Sequence, residues 1–210
     1  MKHAMMNAVL QHLAVAIVAA GLSFESASSQ PAGAAADNAG KLRDLHGEWE
    51  RAGAGFACKV GPTARIAAQA IKPELLTRAC LHLGPFVVGD DAQVLKTAFG
   101  APPRTLSQPN GAIAWVYFLE KPEQYPYLVA IISKNRIFAL QVTGPSAAKG
   151  YTYNHIDLGA TTDTLVQYFG QPSHFEPSEE KDTELWTYGP QPFSFEVRGG
   201  HVSSIRIHEP

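Results

Sequence analysis

Two pentapeptides decide how this chain is organised: AFGAP at Ala98–Pro102 and YFGQP at Tyr168–Pro172. Each spells Phe-Gly-x-Pro after a run with apolar residues at helical spacing, and each precedes runs in which apolar and polar residues alternate. Glycine suits the left-handed residue that follows a helix, and proline prevents the helix from continuing. We therefore predict two helices that stop abruptly before a sheet, with the stop residues Gly100, Pro102, Gly170 and Pro172.

The similarity between the two segments extends on both sides of the motif. Phe86–Gly89 aligns with Ile156–Gly159 seventy residues later, and the alternating runs that follow each motif also align. Alternation broken by short turns is typical of antiparallel strands in a meander. The sequence therefore predicts an α+β fold of two tandem repeats, residues 80–145 and 146–210. Each repeat is a short helical segment packed on a three- to four-stranded antiparallel sheet.

The first 29 residues are predicted to be a signal peptide. Lys2 and His3 precede the apolar stretch Leu13–Leu22, which is too short to span a bilayer, and small residues follow at Ala27–Ser29. Residues 30–40 have the composition of a flexible linker. We therefore expect a periplasmic or secreted bacterial protein that has no stable membrane insertion after cleavage.

Residues 41–79 are predicted to form a helical segment ahead of the first repeat. Leu42, Leu45 and Trp49 are spaced for one face of a helix, and Pro73 suits the first turn of a later helix. An amphipathic segment of this kind needs an apolar surface to pack on. It could therefore cover a face of the sheet.

The two cysteines of the chain, Cys58 and Cys80, are predicted to form a disulfide, because an isolated pair in an exported protein most often bonds. No C-x-x-C motif or second Cys/His pair at ligand spacing is present, so we expect no cofactor and no metal. The formal net charge of −2 and the lack of a Lys/Arg run argue against a nucleic-acid partner.

The stretch HIDLGATTDTLVQYFGQP (His155–Pro172) resembles the opening of outer-membrane assembly lipoproteins of the SmpA/OmlA, or BamE-like, type. Those proteins run from an apolar strand through Gly-Met-Thr into a short helix that ends in Leu-Gly-x-Pro. Two such units in tandem resemble the architecture of β-lactamase inhibitory protein, over about residues 81–208. The resemblance implies two helix-plus-sheet repeats whose sheets form a protein-binding surface.

The two repeats differ on the sheet face that is out of phase with the core. In the second repeat this face is polar, with Thr187, Ser194, Glu196, Arg198, Ser204 and Arg206, and we expect it to face water. In the first repeat the corresponding positions are mostly apolar: Val116, Val129, Ile131 and Ala139, with Ser133 and Gln141. Such a face needs a cover, which is either residues 41–79 or a partner protein. The predicted partner-binding residues are Phe118, Tyr127, Val129, Ile131 and Ile137.

The sequence contains no recognisable catalytic constellation. It has no G-x-S-x-G motif, and GPSAAKG at Gly144–Gly150 does not match a phosphate-binding loop. His155, His174, His201 and His208 lie in the second repeat without ligand spacing. We therefore predict an exported, non-catalytic protein-binding module of the cell envelope, inhibitor-like or assembly-factor-like. The alternative is a periplasmic small-ligand-binding protein or hydrolase with a pocket between the repeats.

Overall fold

The computed structural model describes residues 46–53, 55–61 and 76–210. The predicted signal peptide and linker lie outside these residues, as does part of the predicted segment 41–79. The described chain begins with an antiparallel hairpin, β1 (Gly47–Ala52) and β2 (Gly55–Val60). A short 3₁₀ helix (Thr77–Cys80) and a small hairpin, β3 (His82–Leu83) and β4 (Phe86–Val87), follow. None of the helices in these ranges is long and apolar enough to cross a membrane.

The remaining elements follow one order twice, a helix and then four strands. The first half contains α1 (Gln93–Phe99), β5 (Arg104–Ser107), β6 (Ile113–Phe118), β7 (Tyr127–Ser133) and β8 (Arg136–Thr143). The second half contains α2 (Thr162–Phe169), β9 (His174–Pro177), β10 (Thr183–Thr187), β11 (Phe193–Arg198) and β12 (His201–His208).

All strands from β5 to β12 form a single eight-stranded antiparallel sheet in the order β5-β6-β7-β8-β12-β11-β10-β9. The last strands of the two halves, β8 and β12, pair at its centre, and the first strands, β5 and β9, form its edges. The predicted α+β class with an antiparallel sheet is therefore confirmed. Each half therefore contributes four strands to the sheet, the upper end of the predicted three to four.

The backbone contacts around the two helices correspond one to one. Gly89 N–H donates to Ile137 O at 2.7 Å in the first half, and Gly159 N–H donates to Val202 O at 2.7 Å in the second. The return bonds, from Ile137 N to Asp90 O and from Val202 N to Ala160 O, measure 2.9 and 2.8 Å. Both halves also have a register shift between the third and fourth strands, with the extra residue, Phe138 or Ser203, in β8 or β12. The two halves therefore share their backbone design as well as their order of elements.

Both helices end at the glycine of the Phe-Gly-x-Pro motif. Gly100 has φ 80° and ψ −159° and donates to Lys96 O at 2.8 Å, and Gly170 has φ 76° and ψ −167° and donates to Val166 O at 2.8 Å. The positive φ agrees with the predicted conformation, but ψ does not, because the left-handed helix has ψ near about +47°. These values lie in a region that is essentially restricted to glycine.

The main core lies on the face of the sheet that the helices cover. Leu95 of α1 and Leu165 and Phe169 of α2 pack there against the apolar side chains of β6–β8 and β10–β12. In the second half this core is mostly aromatic. The ring centroid of Phe193 lies 5.0 Å from that of Phe169 and 5.6 Å from that of Tyr188. Burial of such large rings contributes strongly to stability.

The hairpin β1–β2 corrects the predicted helical segment. Trp49 packs against Phe193 on the helix-covered face with 5.9 Å between ring centroids, and the backbone N–H of Trp49 donates to Asn154 Oδ1 at 2.5 Å. Gly53 has φ 61° at the connection between the strands, as a tight hairpin turn requires. The helical prediction is therefore wrong for residues 47–60. It rested on the spacing of Trp49 from two leucines rather than on the glycines that allow this turn.

The predicted disulfide between Cys58 and Cys80 is confirmed. The bond joins β2 to the 3₁₀ helix, with 5.8 Å between the two Cα atoms. Cys80 is buried in the core, and Cys58 packs against it from the hairpin. The disulfide therefore holds the hairpin against the helix-covered face.

Candidate functional site

The face of the eight-stranded sheet opposite the helices, here called the outer face, carries a second hydrophobic cluster. Its buried members lie in β6, β7 and β8 or just before β6, and they are Ala112, Ala114, Val116, Tyr127, Val129, Ile131 and Ala139. Val129 has no exposed surface, and Ile131 is 7% exposed. Among the described residues, the partly buried hydrophobic side chains packed on this outer cluster are Leu106, Phe118 and Phe138, which belong to the same sheet.

Four of the five predicted partner-binding residues lie together on the outer face: Phe118, Tyr127, Val129 and Ile131. Ile137 does not, because its side chain belongs to the core on the helix-covered face. The cause is the register shift between β7 and β8, where Ile132 pairs with Ile137 but Ile131 pairs with Ala139. The extra residue, Phe138, takes the outer position. The prediction of Ile137 at this site is therefore wrong.

Next to the outer cluster, towards the centre of the sheet, the outer face becomes polar. Gln141 of β8 donates from Nε2 to Ser204 Oγ of β12 at 2.8 Å, and Thr143 Oγ1 lies 3.1 Å from the same hydroxyl. Ser204 is 1% exposed. The expectation that the polar positions of the second half simply face water is therefore wrong at Ser204, which is hydrogen-bonded across the junction between the halves.

Two charged side chains occupy the neighbouring part of the outer face. Glu196 of β11 accepts a hydrogen bond from Ser178 Oγ at 3.1 Å, and burial raises the pKa of its carboxyl above the ordinary value. Burial also lowers the pKa of the Arg206 guanidinium in β12, although the Glu196 charge opposes that shift. An arginine remains charged throughout the accessible pH range. The centre of the outer face is therefore both polar and poorly solvated.

The acidic segment Glu176–Glu184 contains the end of β9, the start of β10 and the turn between them. Ser178 N–H donates to Thr183 O at 2.8 Å, and Glu180 forms a 2.9 Å ion pair with Arg198 of β11. A surface depression beside the loop is also lined by Gly199 and Gly200. This depression lies within the second half and not between the two halves.

The histidines of the second half occupy separate positions. His155 Nε2 lies 3.0 Å from Glu48 Oε2, His174 lies 3.5 Å from Glu176, and His201 and His208 are the first and last residues of β12. Within residues 46–53, 55–61 and 76–210, no group of three or more His, Cys, Asp or Glu side chains could hold a metal ion.

No protein-family model matches the sequence, and no curated protein matches it. The resemblance to the SmpA/OmlA type therefore stays a prediction.

Several solved structures are similar to this chain. They include a cysteine-rich secretory protein from Staphylococcus aureus (18% identity, TM-score 0.40) and a DUF4309 family protein from Bacillus subtilis (14%, 0.40). A third is a Streptococcus mutans protein described provisionally as a β-lactamase inhibitor protein (16%, 0.24). Each similarity covers 58% of this chain, and 44%, 79% and 85% of the three proteins in turn. The chain thus spans less than half the length of the first of them.

Several residues of the outer face are not among the predicted partner-binding residues. Ala112 and Ala114 continue the period-two alternation of Val116 and Phe118, so the sequence contains a signal for them. Phe138 has no such signal, because a register shift depends on the partner strand. The same holds for the bond between Gln141 and Ser204, which joins residues of different halves.

Proposed function

We propose that this protein is an exported, non-catalytic protein-binding module of the bacterial cell envelope, which binds a protein partner through the outer face of its sheet. The observation that carries the proposal is the outer cluster, a continuous group of apolar side chains on three adjacent strands, with the partly buried Leu106, Phe118 and Phe138 packed on it. Aliphatic and aromatic side chains in the middle of a sheet suit the buried centre of a protein interface.

An apolar layer on one face of a sheet requires a second layer over it. The described part of segment 41–79 packs elsewhere, because Trp49, Phe56 and Cys58 all join the core on the helix-covered face. The described hydrophobic side chains that pack on the outer cluster are members of the sheet. The core of the outer cluster is already buried in the folded chain, so we propose that a partner protein contacts this face at its partly buried side chains, Leu106, Phe118 and Phe138.

Two further parts of the proposal concern the evolutionary origin of the two halves and the compartment in which the protein is found. The paired backbone contacts of the two halves support a tandem duplication of one helix-plus-sheet unit. The Cys58–Cys80 disulfide supports an oxidising compartment, because such bonds rarely persist in the cytosol. Together with the N-terminal apolar segment, this favours export to the periplasm or the medium.

The test is affinity capture from a bacterial envelope extract with residues 30–210 as bait, comparing the wild-type protein with Ile131→Glu. The equivalent position in the second half is Glu196, so the backbone of this strand accommodates glutamate. We expect a captured protein that is lost with the variant, while circular dichroism shows a folded chain.

The matched control is Ile113→Glu, which makes the same substitution in β6 at a side chain that is 43% exposed and out of phase with the outer cluster. This control should retain the captured protein. Unfolding of Ile131→Glu would instead assign the outer cluster to the internal core. Equal capture by all three proteins would contradict binding through the outer face.

A further inference from the structure

We propose that two copies of this chain associate through the edge strand β9, which pairs with β9 of the second copy in an antiparallel arrangement centred on Phe175. The strand forms one edge of the eight-stranded sheet, whereas the outer cluster lies on strands of the first half. This second interface is therefore separate from the proposed partner site and does not depend on it.

Strand β9 is open to a second molecule. All four of its residues are exposed, and the Phe175 side chain is 64% exposed, more than any other large hydrophobic side chain that the structure describes. In the first half, the equivalent position of β5 is Thr105, because Thr105 pairs with Trp115 as Phe175 pairs with Trp186. The edge of the sheet therefore accepts a polar side chain, and the fold does not require the aromatic ring of Phe175.

Phe175 ends a row of aromatic side chains that begins in the core. Cross-strand pairing links Phe195 to Trp186 and Trp186 to Phe175 on the helix-covered face. Phe195 is buried, Trp186 is partly buried against the core, and Phe175 is exposed. Aromatic side chains that lie directly opposite each other on neighbouring strands stabilise a sheet. A copy related by a two-fold axis would place its own Phe175 beside this one, so the aromatic row would continue across the interface.

The backbone of β9 has hydrogen-bonding groups available at the same residue. Ser178 N–H donates to Thr183 O at 2.8 Å, so these two residues form a hydrogen-bonded pair. Bonded and non-bonded pairs alternate along an antiparallel ladder, and the register therefore directs the N–H and C=O of Phe175 away from β10, towards the open edge. Pro177 has no N–H, which limits the pairing to the few residues around Phe175 and opposes a shift of register.

The side chains beside Phe175 make the strand complementary to itself. In an antiparallel pair centred on Phe175, His174 of each copy lies opposite Glu176 of the other. These are non-hydrogen-bonded pairs of the ladder, in which opposed side chains approach most closely. The side chains of His174 and Glu176 are both more than half exposed, so a second copy can reach them. The same arrangement of β5 would place Arg104 opposite Leu106, which is not complementary. The charges therefore select a second copy of the chain as the occupant of the β9 edge.

The test is the monomer–dimer equilibrium of residues 30–210, measured by analytical ultracentrifugation at low salt, with circular dichroism to show that each variant is folded. We expect a reversible dimer with a Kd between about 1 µM and about 1 mM, because an edge of four residues forms a small interface.

Three variants test the pairing. Phe175→Thr introduces the residue that occupies the equivalent position of the first half. His174→Glu places glutamates opposite each other on both sides of Phe175, and the double change His174→Glu/Glu176→His restores the complementary pairs in the same register. Ile113→Thr is the matched control, because it removes a 43% exposed apolar side chain from the other half.

We expect Phe175→Thr and His174→Glu each to raise the dimer Kd about tenfold or more. The double change should return the Kd to within about threefold of the wild-type value, and Ile113→Thr should leave it unchanged. A chain that stays monomeric up to about 1 mM would overturn the proposal, as would a dimer that neither Phe175→Thr nor His174→Glu weakens. A double variant as weak as His174→Glu would overturn the antiparallel pairing centred on Phe175.

The same variants separate this interface from the proposed partner site. Phe175→Thr should retain the protein captured from the envelope extract, and Ile131→Glu should dimerise as the wild-type protein does. Loss of the dimer with Ile131→Glu but not with Phe175→Thr would place the contact between copies on the outer face and overturn the pairing through β9.

Discussion

Replacing the motif glycines with alanine should destabilise the protein through backbone strain. Gly100 has φ 80° and ψ −159°, and a Cβ placed there meets no atom within 4 Å. The cost of Gly100→Ala is therefore strain alone, about 1–3 kcal/mol for a residue forced into this region. At Gly170 the same strain applies, and the added Cβ would also lie 3.1 Å from Cζ of the exposed, flexible Arg51 side chain. We expect Gly170→Ala to cost at least as much as Gly100→Ala.

The measurement is the free energy of unfolding from urea titrations followed by circular dichroism. Gly61→Ala is the control, because Gly61 has no positive φ and its Cβ would also meet nothing within 4 Å. That change should leave stability unchanged or raise it by about 0.4–1 kcal/mol, since alanine restricts the unfolded chain.

A third variant, Gly100→Asn, separates the observed conformation from the left-handed helical one. Asparagine is tolerated in the left-handed region but has no such advantage near ψ −159°. We therefore expect Gly100→Asn to be about as destabilising as Gly100→Ala. A loss below about 0.5 kcal/mol for alanine, or clear tolerance of asparagine alone, would refute the reasoning.

Three other changes test the packing around this frame. Replacing Cys58 and Cys80 together with serine should lower the free energy of unfolding by about 3 kcal/mol, because the bond closes a loop with a sequence separation of 22; unchanged urea titrations would contradict this. Phe193→Ala should lower the free energy of unfolding by about 3–5 kcal/mol. Phe175→Ala, which changes a 64% exposed side chain, should lower it by less than about 0.5 kcal/mol. Similar thermal shifts for the two variants would contradict the assigned core. Burial raises the pKa of Tyr117 from 10.0 to about 12, which favours the neutral phenol in the folded state. The stability that this pKa shift contributes is thus present below pH 10 and lost as the pH rises to about 12. The variant Tyr117→Phe should therefore flatten this part of the pH–stability curve. An unaltered curve would contradict the burial of this phenol.

Local signals predicted the parts of the fold that depend on neighbouring residues. Glycine and proline of the motif marked the ends of both helices, and alternation located β6, β7, β11 and β12. The edge strands β5 and β9 escaped because RTLS and HFEP lack apolar alternation. The hairpin β1–β2 escaped because Trp49 was assigned to a helical stripe with two leucines. Its strand is stabilised by packing on Phe193, which is remote in sequence.

The candidate site was predictable only as far as alternation continues unbroken. Val129 and Ile131 follow the period of β7 and lie on the expected face. Ile137 precedes the extra residue Phe138 in β8, so it lies in the opposite phase to Ala139 and Gln141, on the helix-covered face. The burial of Ser204 could not be read from its strand alone, because the partner Gln141 belongs to the other half.

The two halves also show which constraints come from folding and which do not. Equivalent positions on the helix-covered face are apolar in both: Leu128 and Phe193, Leu140 and Ile205, Val142 and Ile207. Equivalent positions on the outer face differ in kind, as in Val129 and Ser194, Ile131 and Glu196, and Gln141 and Arg206. Because one backbone accommodates both sets, the fold itself does not require the apolar outer cluster of the first half. The outer cluster is buried in the folded chain, so the groups that cover it in the first half, and not the strands themselves, account for the difference.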